Sequence, residues 1–138
     1  MTAICPNANI TDGEKQEIVE LIASFGLAQI VSEKIMDAVI AVSGSSPAYV
    51  FMFIEAMADA AVAEGMPRRV QAYQFAAQSV LGSAKMVLET GKHPGELKDM
   101  VCSPSGTTIE AVKVLEEKGF RSSIIEAMSA CADKSRNM

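Results

Sequence analysis

Tryptophan is absent, aromatic residues make up only 5% of the chain, and a single histidine, His93, occurs among 138 residues. So few aromatics beside so much Ala, Met, Ile and Val argue against a sandwich of strands and for close-packed helices. With one histidine in a Gly-Lys-His-Pro-Gly turn, a cysteine nucleophile would have no evident base. The three cysteines, Cys5, Cys102 and Cys131, are odd in number and widely spaced, which excludes a disulfide framework and a C-x-x-C motif. Free thiols in a reducing compartment are expected, and no metal site. Basic stripes are also missing: the formal charge is -5, and Arg68-Arg69 is the only adjacent basic pair. Nucleic acid is therefore not an expected partner. No apolar run reaches the roughly 18 to 20 residues of a bilayer span, and no basic segment with a cleavage-type sequence opens the chain. The expectation is a cytoplasmic protein without a membrane partner.

What is present is a chain of one-domain size with 49% hydrophobic residues, enough for a sizeable core. Residues 1–32 differ from the rest. A short apolar start from Met1 to Cys5 passes through a turn into a helix from about Asp12 to Phe25, and Leu27 to Val31 alternates as a strand does. This predicts one βαβ-like unit without a sheet to join.

From Ser32 onward every segment reads as helix. Ser32 is a candidate N-cap, and Ile35, Met36, Val39 and Ile40 fall at helical spacing until Ser43-Gly44 ends the run. A second helix is predicted with Ser46 as N-cap and Pro47 at its first position, ending at Gly65. Tyr49 to Ala63 is apolar almost all round, broken only by Glu55 and Asp59, so it needs burial on most sides; a partner subunit is the natural source. Later helices are predicted over about 67–90, 96–101, 107–118 and 121–136, with Gly91 and Gly119 as stops. Glu55 and Asp59 share a face at i and i+4, but no third ligand accompanies them. An ion pair with Arg or Lys from another helix is expected instead. Lys85 and Lys98-Asp99 read as solvated charges.

Two small-residue turns, Ser43 to Pro47 and Ser103 to Thr108, each open a predicted helix. Unpaired N–H groups and the positive dipole end at such a terminus can hold a carboxylate without a basic side chain. Capping by Ser and Thr side chains accounts for the same composition. On physical grounds alone the chain is a helical bundle with one or two anion-binding loops, which identifies no reaction.

The residues of these turns go further. Val42-Ser-Gly-Ser-Ser-Pro-Ala-Tyr-Val-Phe51, Gly82-Ser-Ala-Lys-Met86, His93-Pro94, Leu97-Lys-Asp99, Val101-Cys-Ser-Pro-Ser-Gly-Thr-Thr-Ile109, Leu115-Glu116 and Gly119-Phe-Arg121 occur in one order. Together they resemble the signature of pyrroline-5-carboxylate reductases. The resemblance implies a mainly α fold, a dimeric helical bundle like the C-terminal domain of 6-phosphogluconate dehydrogenase, covering residues 33–138. Residues 1–32 then correspond to the last strand, helix and strand of a dinucleotide-binding domain. No G-x-G-x-x-G turn occurs, so most of that domain is missing and the isolated chain is expected to be inactive.

The implied activity is reduction of 1-pyrroline-5-carboxylate to L-proline, the last step of proline biosynthesis, with NADPH or NADH as cofactor. The family pattern places Thr108 near the imine nitrogen, as the catalytic residue. It places Ser103, Ser105, Gly106 and Thr107 around the substrate carboxylate, and Val101 against the nicotinamide. A homodimer is implied, with assembly beyond the dimer left open. Ser46 and Ser105 stand where the family pattern has Gly, so a loop needing a left-handed angle at 105 would be strained and its carboxylate binding weakened. Two other readings are a stand-alone helical ligand-binding or interaction domain and a purely structural helical dimer.

Overall fold

A computed structural model describes residues 1–138. The helical reading holds, and so does the short βαβ start. Strand β1 (Thr2–Ile4) leads into α1 (Asp12–Ala23) and strand β2 (Ala28–Ile30). The strands pair in parallel, Thr2 with Ala28 and Ile4 with Ile30. Helix α1 begins where its sequence demands: Glu14 N–H donates to Thr11 Oγ1 while the Glu14 carboxylate accepts from Thr11 N–H at 2.8 Å, a reciprocal capping box.

The next segment departs from expectation. A 3-10 turn (Glu33–Ile35) and α2 (Met36–Val39) do not stop at Ser43-Gly44. They continue through a π-helical turn, Ile40–Gly44, into α3 (Ser46–Ala63). The Ser45 N–H donates to the Ile40 carbonyl at 2.8 Å, five residues back, and Ser46 Oγ donates to the Val42 carbonyl at 2.8 Å. Ser46 is thus a helix-interior residue bonding backward, not an N-cap, and Ser32 caps nothing with its side chain. One wide turn absorbs the small residues that looked like a break.

The consequence is a helical run from Glu33 to Ala63 long and apolar enough, by length and composition, to cross a membrane; the sequence broken at Gly44 hid it. Only 6% of its most apolar window is buried within the chain.

Two units divide the chain: residues 1–47 with 125–138, and residues 48–124. In the first, Cys131 S–H donates to Ser45 Oγ at 3.2 Å and Ser135 Oγ to Asp37 at 2.6 Å, tying α7 (Phe120–Arg136) to the segment around the π turn. In the second, α3 turns into α4 (Arg69–Thr90) at Gly65, whose φ of 100° suits only glycine. There Met66 N–H reaches the Ala61 carbonyl at 2.9 Å and Gly65 N–H the Val62 carbonyl at 3.0 Å, a Schellman stop. The expected partner of Asp59 from another helix is Arg69, at the start of α4. Helices α5 (Pro94–Val101) and α6 (Thr107–Glu117) follow, and Phe53 meets Phe120 with ring centroids 5.9 Å apart.

The buried core amounts to four alanines, Ala41, Ala58, Ala72 and Ala76. Small residues let helices approach closely but bury little area, and Phe51, Met52, Phe75, Leu81 and Leu88 all remain more than half exposed.

Candidate functional site

Of the two turns singled out by sequence, the π turn is closed. Ser45 N–H is spent on the Ile40 carbonyl, the Ser45 and Ser46 hydroxyls are bonded, and the helix runs on through the turn, so Ser43 to Pro47 offers no free helix terminus.

Ser103 to Thr108 is different. Gly106 N–H donates to the Ser103 carbonyl at 3.1 Å, closing a β-turn with Pro104 and Ser105 at its centre. Pro104 fixes the φ that the second position needs, and the third position takes a left-handed angle, the pattern of a type II turn. Ser105 supplies that angle with φ 57°, the only non-glycine residue in the chain with positive φ. The strain foreseen for a serine at this position is present.

Gly106 then sits extended at the N-cap of α6 (φ -81°, ψ 169°), and no side chain caps the helix. The hydroxyls of Ser103, Ser105, Thr107 and Thr108 make no hydrogen bond within the chain. Contrast α1, capped by Thr11, and α5, capped by His93, whose Nδ1 accepts Gly95 N–H at 3.0 Å. The capping account of this loop's Ser and Thr content therefore fails here, and the first N–H groups of α6 stay open to an acceptor.

Val101, at the end of α5, is 66% exposed. It lines an apolar cavity of about 360 Å3 with Met86, Val87, Leu97 and Met100. Ser83 and Lys98 supply its polar edge. The Asp99 carboxylate bonds Lys98 and holds its ammonium above the ordinary lysine range. Sequence reasoning missed the His93 cap because imidazole is an uncommon cap; the adjacent Pro94 at a first helical position was its available signal.

An exposed apolar helical surface, with one uncapped small-residue loop, describes a domain that associates through helices. Residues 33–138 match the family model for pyrroline-5-carboxylate reductase dimerisation, and the chain belongs to that family. It is 63% identical over its whole length to the pyrroline-5-carboxylate reductase of Escherichia coli (strain K12), covering 51% of that protein. It is 49% identical over 99% of its length to the one of Methanosarcina acetivorans, covering 50%. The chain thus spans about half the length of these curated relatives. Among solved structures, the pyrroline-5-carboxylate reductase from Coxiella burnetii superposes with a TM-score of 0.92 at 34% identity, covering 98% of this chain and 50% of that one. The Plasmodium falciparum pyrroline carboxylate reductase with NADP bound gives 0.87 at 32%, covering 98% and 54%.

Proposed function

We propose that this chain is the dimerising, substrate-holding half of a pyrroline-5-carboxylate reductase, which reduces 1-pyrroline-5-carboxylate to L-proline. The observation that carries the reading is the bare N-terminus of α6 behind the Ser103–Gly106 turn, in a chain of this family. The substrate carboxylate accepts from the N–H groups at the start of α6, with the Ser103, Ser105 and Thr107 hydroxyls around it. Thr108 Oγ1 accepts the N–H of the protonated ring nitrogen, which orients the electrophilic C=N carbon. NADPH or NADH, when bound, supplies the hydride to that carbon. Val101 offers the apolar contact for the nicotinamide face, and the chain's part is positioning rather than proton transfer.

Residues 1–32 are read as the closing strand, helix and strand of the dinucleotide-binding domain, and 33–138 as the dimerisation and substrate domain. The exposed face of the Glu33–Ala63 helical run is read as a seat for the same helix of a second subunit rather than for lipid. The test is consumption of reduced nicotinamide in the presence of pyrroline-5-carboxylate, with the chain alone and with the chain joined to the nucleotide-binding half of the Escherichia coli relative. Turnover only in the joined protein supports the reading; a folded, dimeric joined protein without turnover overturns it in favour of a non-catalytic binding domain.

A further inference from the structure

We propose that the cavity bounded by α5, α6 and the first turn of α7 is a second ligand site, for a small amino acid zwitterion with an apolar side chain. It measures about 420 Å3, within the range of about 300–1,000 Å3 typical of small-molecule sites. Val112, Leu115 and Phe120 form its apolar wall, and Lys98, Arg121 and Glu116 its charged one. Leu115 and Phe120 are 42% and 40% exposed, apolar surface left in water beside fixed charges.

Donors and acceptors remain available. Arg121 Nε donates to Glu116 Oε1 at 2.6 Å, which uses one of five guanidinium N–H groups and one of the two carboxylate oxygens. Lys98 donates one of its three ammonium N–H groups to the Asp99 carboxylate. Lys98 and Arg121 both line the cavity, so their positive charges border one space. A simple anion entering there meets Glu116 and a simple cation meets two positive groups. A zwitterion pairs its carboxylate with Lys98 and Arg121, its ammonium with Glu116, and its side chain with Leu115 and Phe120.

The site is distinct from the Ser103–Thr108 turn and does not depend on the reductase reading. It bears on that turn all the same, because α5 ends and α6 begins at the two ends of the Cys102–Gly106 segment. A ligand spanning Lys98 on α5 and Glu116 on α6 restrains the spacing of those ends.

The experiment is a backbone amide NMR titration of the chain with L-leucine as probe. Two analogues accompany it: 4-methylpentanoate, which lacks the ammonium, and isoamylamine, which lacks the carboxylate. Saturable shifts at Lys98, Leu115 and Phe120 are expected with L-leucine at millimolar concentration, and both analogues should bind about tenfold or more weakly. Glu116→Gln should erase the preference for L-leucine over 4-methylpentanoate. Lys98→Gln should reduce its advantage over isoamylamine, so either variant suffices should the other misfold. Absence of saturable shifts, equal binding of either analogue to the unaltered chain, or an unchanged preference in a folded variant overturns the proposal.

Discussion

Ser103 stands over Gly106 so closely that a Cβ at 106 would overlap the Ser103 hydroxyl and lie 3.1 Å from the Ser103 carbonyl oxygen. The turn therefore tolerates a side chain at 105, at the cost of strain, but none at 106 without moving Ser103. Gly106→Ala is expected to leave the helical fold intact by circular dichroism while displacing the start of α6. In the joined reductase KM for pyrroline-5-carboxylate should rise about tenfold or more, since a small misplacement of a positioning group is enough. An unchanged KM would remove the turn from the substrate site.

Ser105 is expected to behave in the opposite sense. A left-handed conformation at a non-glycine residue costs about 1–2 kcal/mol, and a glycine there regains it less about 0.4–1 kcal/mol of extra unfolded-state entropy. Ser105→Gly should raise the thermal midpoint by about 2–4 °C and Ser105→Ala should not. Equal midpoints for the two variants would mean that the turn relaxes in solution.

The sequence announces Gly65, Gly91 and Gly119 as helix stops, and all three lie at positive φ because only glycine takes that angle freely. Ser43-Gly44 carries the same punctuation and fails, because whether a backbone turns or widens there depends on what holds the freed groups. Here Ser45 N–H holds the Ile40 carbonyl and Ser46 Oγ the Val42 carbonyl, while the Cys131 thiol of α7 bonds the Ser45 hydroxyl. The candidate loop was legible to the residue, since Pro104 and the hydroxyl-rich run after it leave few alternatives. Its lack of a cap was not, because Ser and Thr are written the same way whether they bond their own helix or await a ligand.

His93 fixes the start of α5, the helix that ends at Val101. Removing its Nδ1 acceptor leaves Gly95 N–H without a partner, so His93→Ala should cost about 1 kcal/mol in urea denaturation, with His93→Asn recovering most of it. A loss below about 0.3 kcal/mol would show that water replaces the cap.

Glu14 gives a pH dependence with a definite sign. Its carboxylate accepts from the hydroxyl and N–H of Thr11, which hold it below the ordinary glutamate value. A depressed carboxyl contributes stability above its unfolded pKa and loses it as pH falls through the folded one. The start of α1 should therefore fray as pH drops from about 5 toward 3, and Glu14→Gln should flatten that response. The Glu14 side-chain NMR titration checks it: a midpoint at or above that of an unstructured glutamate contradicts the capping box.

Phe51 and Met52 are 69% and 70% exposed on α3, and a chain whose buried core is four alanines cannot account for such a helix alone. Aromatic anchors dominate the energetics of interfaces, and a stable one needs about 800 Å2 from each partner. Light scattering behind size exclusion should find a dimer at micromolar concentration. Phe51→Glu should shift it toward monomer with its helical content retained, since the substituted position is open to water within one chain. A monomer before any substitution would leave the exposed face without a second subunit, and the dimerising role proposed for this half of the reductase would fall with it.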